Sequence, residues 1–520
     1  MEFIESNLLS LILFSPLVIA ILITLLPAKE KNLIRWVALL GSLLTLSLSL
    51  YLWYKFDPNW QVFQFEEVRV WYDAIHSSYH VGVDGISLSM VLLTTLLTPL
   101  VILASFKIED RVKAYMALFL LLETGMLGVF LSLDLLLFFV FWEIGLVPMF
   151  FLINQWGSEK GERELWGGRK VSARAYASFK FMIYTMAGSL GLLLAIQLLG
   201  IVGATYDLPL LVERWTSIDP RGEILGLPVY TVKTIAFWAF VIAFALKVPV
   251  WPFHTWLPDA HTEAPTAGSM ILAGVLLKLG AYGFLRLVLP LYPGQARQFS
   301  GVLAILAVLS IIFGALSSFG QTDFKRLVAY SSVNHMGFVV LGIAAAAYAQ
   351  GGESATIALN GAVLQMFNHG LSAAGMFFLV GVIYERTHTR DLNQYGGLFP
   401  LIPVYGGILI FTSMASLGLP GLNGFVSEFL VVRGTWGVGW VFPAFTALAM
   451  IGLFFTGAYI LKGIKMVLHG PLNRKWVGHL SEINAREIIV MAPLMVLMLI
   501  TGVWPAWILE VINRAVEMLF

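Results

Sequence analysis

Eight ionisable side chains interrupt the long apolar runs of this sequence: Glu123 (LLETGML), Glu143 (FFVFWEIGLVP), Lys180, Lys247 (FVIAFALKVPVW), Lys278 (GVLLKLGAY), His335 (YSSVNHMGF), His369 (QMFNHGLS) and Glu428 (NGFVSEFLV). A charge at membrane depth costs several kcal/mol unless it is paired or hydrated, so a chain that keeps a series of them is using them. Low dielectric favours the neutral form of a lysine and a nearby carboxylate favours the charged form, so a Glu–Lys pair of variable separation can take up and release a proton. Histidine suits the middle of such a series because it gains and loses a proton near neutral pH. Glu143, Lys247, Lys278 and Glu428 have apolar residues for more than a helical turn on both sides, which makes snorkelling to water difficult. Lys180, near a helix start, could snorkel, and Glu123 could be a hydrogen bonder between packed helices. His335 and His369 could pack two helices, act in proton transfer, or form a bis-histidine haem pair.

The breaks in the apolar runs fall beside these charges. Pro249 removes a backbone donor and crowds the carbonyl four residues back, opening the helix next to Lys247. In SLGLPGLNGFVSEF, Gly418, Pro420, Gly421 and Gly424 precede Glu428. Non-helical backbone at membrane depth is tolerated only where it is buried in protein or lines a watery cavity. Two broken helices in corresponding places point to a pair of repeated units. The repeats span an odd number of helices, so the second copy is inverted in the bilayer. Glu143, Lys247, Lys278, His335 and Glu428, bridged by water, form a candidate lateral proton wire.

Helices must position these groups. Of 520 residues 58% are hydrophobic and only 12% charged, with a mean hydropathy of +0.83, so the chain is an integral membrane protein. Apolar runs of helical rather than strand length recur from end to end, which excludes a β-barrel. About fourteen spans are expected, near 8–26, 33–52, 84–105, 114–132, 134–154, 177–199, 231–252, 263–288, 300–318, 325–347, 357–382, 402–432, 441–463 and 488–510. The first run has an acidic flank (Glu2, Glu5) and no small-residue cleavage pattern, so it reads as a span rather than a removable leader. The loops after odd-numbered spans carry twenty Lys and Arg against nine on the opposite face, which places both termini outside. With no cysteine, thiolate-held iron–sulfur clusters and C-x-x-C zinc sites are excluded, and redox chemistry belongs elsewhere. No extramembrane segment is long enough for a catalytic domain. The expected organisation is three N-terminal helices (1–113), a first five-helix repeat (114–290), an inverted second repeat (291–470) and a C-terminal helix (471–520).

FALKVPVWPFHTWLPDAHTEAPTAGSMILAGVLLKLGAYGFLR, FWEIGLVPMF, RLVAYSSVNHMGFVVLGI and LPGLNGFVSEFL resemble the antiporter-like proton-pumping subunits of respiratory Complex I, of the NuoM type, called chain 4 or NdhD in cyanobacteria and plastids. The resemblance covers nearly the whole chain. It implies an all-α membrane protein of fourteen helices, two inverted five-helix repeats, and broken helices 7 and 12. Glu143, Lys247, Lys278 and Glu428 match the family's buried charged positions, and His254, His261, His335 and His369 fall on family-typical histidines. Glu123 and the insert GSEKGERELWGGRKVSARA are less typical of cyanobacterial members. The resemblance further implies a translocase subunit without a redox centre or bound cofactor of its own, in an assembly using quinone and NAD(P)H or ferredoxin. Its partners would be other membrane-arm subunits and the lipid bilayer, with no nucleic acid, in a bacterial inner or thylakoid membrane. The Mrp-type cation/proton antiporter subunits share the superfamily, and HTEAP after LPDA leans towards the NuoM type. A proton-inactive scaffold is disfavoured by four central charges that it would not need.

Overall fold

The computed structural model describes residues 2–60, 63–159, 161–165 and 168–520. Lys160, one of the basic residues counted above, lies outside the described residues, as do Trp166 and Gly167 of the long insert. Among the described residues thirteen helices, from Leu8–Leu25 to Ala485–Val503, are long and apolar enough to cross a membrane. A fourteenth crossing is cut into Pro403–Leu417 and Asn423–Trp436. The protein is therefore the all-α polytopic bundle expected, with the twelfth span broken where glycine and proline cluster. Helices suit this setting because each satisfies its own backbone where no water is available. Among the described residues the strands form three short hairpins outside the spans, the longest pairing Gln64–Tyr72 with Ser77–Val83.

The core is asymmetric. The eighth span (Thr266–Leu291) and the eleventh (Glu353–Thr387) are wholly enclosed by protein, and the tenth (Phe324–Ala349) nearly so, whereas the thirteenth and fourteenth expose most of their surface. Lys278, His335 and His369 lie on the three enclosed helices. Small residues let these helices approach closely, as membrane packing favours: a Cβ on Gly370 of the eleventh span would meet the carbonyl oxygen of Gly274 in the eighth at 2.9 Å.

The seventh span follows Val229–Lys247 and resumes as Trp256–Glu263. The polar backbone of the gap is satisfied locally. Val250 N–H donates to the Ala245 carbonyl at 2.8 Å, the Trp256 indole donates to the Leu246 carbonyl at 2.8 Å, and the Trp251 N–H donates to Ser310 Oγ at 2.8 Å. In the twelfth span the chain turns at Gly418, whose φ of +83° lies in the left-handed region that favours glycine. The amides of Asn368 and Asn423 exchange hydrogen bonds with each other's backbone carbonyl (2.7 and 3.1 Å), tying the second half-helix to the eleventh span.

Two irregularities go beyond the expectation from sequence. The fifth span, expected to be continuous over 134–154, is divided into Leu135–Ile144 and Leu146–Trp156 at Gly145. Pro148 cannot donate to the carbonyl of Ile144, so the helix loosens beside Glu143. The eighth span contains two π-helical turns, Leu272–Leu276 and Phe284–Val288, on either side of Leu277–Gly283, which carries Lys278. Such turns free a carbonyl from the α-helical ladder.

Candidate functional site

In the fifth and seventh spans the charged groups stand apart. Lys247, at the end of its half-helix, is 2% exposed, yet its ammonium makes no hydrogen bond among the described residues. It lies over the indole of Trp142, 5.0 Å from the ring centroid, a cation–π contact that partly offsets the loss of water. Glu143 follows Trp142 in sequence, and its charge acts on Lys247, but no ion pair joins them. One carboxyl oxygen of Glu143 is also without a hydrogen-bond partner. A separated acid and amine, each beside a helix discontinuity, can approach or withdraw when the backbone shifts.

From the eighth span to the twelfth the groups form a chain. Lys278, fully buried, donates to the Ala273 carbonyl in the preceding π-turn, and its ammonium is 2.7 Å from His369 Nδ1. The His369 and His335 rings are 5.6 Å apart between centroids. His335 Nδ1 is 2.8 Å from Glu428 Oε1, and its Nε2 faces the Tyr459 hydroxyl at 3.2 Å. Gln365 donates to the same Glu428 oxygen at 3.0 Å. The second Glu428 oxygen faces the Gly418 turn. The structure thus places His369, which the candidate wire left out, between Lys278 and His335.

The remaining candidates are dispersed. Lys180 is partly buried, and its ammonium is 2.7 Å from Asp259 Oδ2, between the rings of Tyr176 and Tyr184. Arg326 approaches the other Asp259 oxygen at 3.3 Å. His254 is partly buried, with Nδ1 unpartnered, near Tyr330. His261 is fully buried, its ring stacked on Phe377 at 4.3 Å. Glu123 is fully buried within the fourth span. It faces Thr98, whose hydroxyl donates to the Thr94 carbonyl at 2.9 Å, leaving Glu123 without a well-formed hydrogen bond.

Four polar partners were not singled out from sequence: Trp142, Asp259, Gln365 and Tyr459. Asp259 lies in the LPDAH stretch and Trp142 adjoins Glu143, so neighbourhood was the available signal. Gln365 and Tyr459 carry no local signal, because their partners lie 63 and 124 residues away.

Comparison with known proteins agrees along the whole chain. The sequence model of the family described as NADH:quinone oxidoreductase/Mrp antiporter, TM, matches residues 132–456. NADH-quinone oxidoreductase subunit M of Rhodobacter capsulatus is 42% identical, with 98% of this chain and 96% of the relative covered. NADH-ubiquinone oxidoreductase chain 4 of Marchantia polymorpha is 38% identical over 98% and 96%. Among solved structures, a chain of respiratory complex I from Thermus thermophilus superposes with a TM-score of 0.83 at 28% identity, covering 98% of this chain and 99% of that one. A chain of the Mrp complex from Dietzia shares the fold, with a TM-score of 0.80 at 24% identity, covering 98% of this chain and 52% of that one.

Proposed function

The chain belongs to the NADH-quinone oxidoreductase subunit M family, and from that premise we propose how its buried groups act. It is a proton-translocating membrane-arm subunit of Complex I, part of an oxidoreductase whose electron transfer takes place in other chains. In the proposed cycle, a change in neighbouring subunits alters the separation of Glu143 and Lys247. When the carboxylate approaches, the ammonium is stabilised; when it withdraws, the lysine releases its proton. The proton passes to Lys278, then through His369 and His335 to Glu428. The observation that carries this reading is the hydrogen-bonded series Lys278–His369 and His335–Glu428 in an otherwise apolar interior. Glu123, Lys180, His254 and His261 are additional proton-handling candidates around that path.

The proposal also covers orientation and company. Excess Lys and Arg put the basic face inside and both termini outside a bacterial inner membrane. The chain is read as docking against paralogous and small membrane-arm subunits, with quinone and NAD(P)H or ferredoxin used by the whole complex. The four-part division at 113, 290 and 470 follows the two broken helices. Gentle purification with mass spectrometry of the co-purifying chains tests the company: quinone-site and iron–sulfur subunits are expected, and a set of small Mrp-like membrane partners alone would overturn it. Lys247→Met in the intact complex tests the cycle. Assembly and quinone reduction should persist while this subunit's share of pumped protons, measured in sealed vesicles, disappears. Unchanged pumping would refute it.

A further inference from the structure

The long insert GSEKGERELWGGRKVSARA on the basic face has no place in the proton path, yet it helps to build a groove. Its strands Glu162–Glu164 and Lys170–Ser172 pair as a hairpin, and the sixth span, Ala173–Gly203, starts directly after it. Between hairpin and helix lies a space of about 490 Å³. It is lined by Leu165, Arg169 and Val171 of the hairpin and by Phe179, Lys180 and Ile183 of the helix, among others. That volume is within the range of small-molecule sites, about 300–1,000 Å³.

The lining carries two cations and no carboxylate. Lys180 is held by Asp259 at 2.7 Å, but that carboxylate is shared with Arg326 at 3.3 Å and Arg163 at 3.9 Å. Three cations therefore surround one anion at the head of the groove. Arg169 is exposed, and among the described residues its guanidinium makes neither a hydrogen bond nor an ion pair. Unbalanced positive charge at a membrane surface attracts anionic lipid, and the guanidinium fork matches the oxygens of a phosphate. Below the cations, exposed apolar side chains continue along the sixth span at Phe179, Ile183, Met186 and Leu190. Their spacing of four, three and four residues keeps them on one helix face. From Phe179 to Leu190 the helix rises about 16 Å, close to the hydrocarbon depth of one leaflet, about 15 Å. Tyr176 and Tyr184 flank Lys180, as aromatic side chains do at the membrane–water boundary. Cations at the head, aromatic rings at the next level and an apolar stripe one leaflet deep reproduce the layered polarity of a phospholipid standing in the bilayer.

We propose that the insert hairpin and the sixth span form a binding site for one anionic phospholipid. The lipid phosphate sits on the Arg169 guanidinium, in the positive field of Lys180, Arg163 and Arg326. One acyl chain fills the groove against Phe179 and Ile183 and runs on past Met186 and Leu190. Lys180 keeps its bond to Asp259 and acts on the phosphate through its field alone. The site stands apart from the buried proton path and does not depend on how that path works.

The test uses the intact complex in phosphatidylcholine vesicles containing a trace of phosphatidylglycerol with a photoactivatable group on its acyl chain. A phosphatidylcholine probe with the same chain is used in parallel, and peptide mass spectrometry after irradiation locates the attached lipid. The phosphatidylglycerol probe should label the segment from Phe179 to Leu190 several-fold more than the phosphatidylcholine probe. Arg169→Gln should lower that excess about fivefold. Ile183→Trp, which fills the groove and leaves the cations in place, should abolish it. Both positions are exposed, so the two variants should assemble. Equal labelling by the two probes, or an excess unchanged in Arg169→Gln, would reduce the groove to ordinary bilayer contact and overturn the site. Absence of label from both probes would show the groove covered by another chain of the complex, and would overturn it equally.

Discussion

Two regions of the bundle, one in the fifth and seventh spans and one running from the eighth to the twelfth, hold similar chemical groups in opposite states of connection. In the first, Lys247 is buried against Trp142 without a hydrogen bond, and Glu143 stands off from it. In the second, Lys278, His369, His335 and Glu428 stand in series, with contacts of 2.7 and 2.8 Å at its two ends. The difference tracks the local backbone. Both Glu143 and Lys247 sit at helix discontinuities, whereas Lys278, His369 and His335 lie on the three best-enclosed helices. Glu143 and Lys247, unpaired at their interruptions, can change separation, while the three groups on enclosed helices keep theirs and Glu428, on the second half of the broken twelfth span, is held by His335 and Gln365. In the proposed cycle the first region acts as a switch and the second as a conduit.

The largest effect is expected from breaking the conduit. Glu428→Gln replaces the acceptor at its end with an amide, and pumping by this subunit should fall at least tenfold while quinone reduction continues; the ratio of the two in vesicles reports it. The cation–π contact offers a smaller test of the switch. Trp142→Leu removes an interaction of about 0.5–2 kcal/mol, corresponding to a roughly two- to thirtyfold change in how readily Lys247 holds a proton. Pumping should slow within that range, and Trp142→Phe should retain part of the rate. An equal effect of both substitutions on assembly alone would assign Trp142 to packing instead.

The smallest effect concerns the hairpin outside both regions. His80 bridges Asp207 at 2.6 Å and Glu66 at 2.9 Å. Burial alone would lower its proton affinity, but the two carboxylates outweigh burial and raise it. A raised value in the folded state means that the charged contact contributes fully below the unfolded value, about 6.5, and is lost as pH climbs through the folded value. The stability difference between wild type and His80→Gln should therefore shrink as pH rises from 6 upward, measured by thermal unfolding of the purified complex. Neither the Glu143–Lys247 region nor the Lys278–Glu428 series should respond, so a pumping defect in this variant would blur the separation between them.

Much of the site was legible because hydrocarbon makes charge conspicuous. Glu143, Lys247, Lys278 and Glu428 stand out against apolar neighbours, and proline and glycine marked both broken helices. What stayed hidden was set by partners distant in sequence. The fifth-span break at Gly145 depended on reading Pro148 as a missing donor within an otherwise regular run. The π-turns flanking Lys278 have no compositional mark, since they arise from how the enclosed eighth span packs.

The sequence by itself determined that this is a membrane bundle of about fourteen helices, because each apolar run long enough to cross must be helical, and which residues carry charge within it. Only the tertiary structure decided which of those charges meet. Contact between Lys278 and His369, or between His335 and Glu428, spans 91 and 93 residues and depends on which helix faces turn inward, a choice made by packing rather than by local composition. The same packing leaves Lys247 beside an aromatic ring without a hydrogen bond, and so separates an unpaired lysine from a hydrogen-bonded series built of the same residue types.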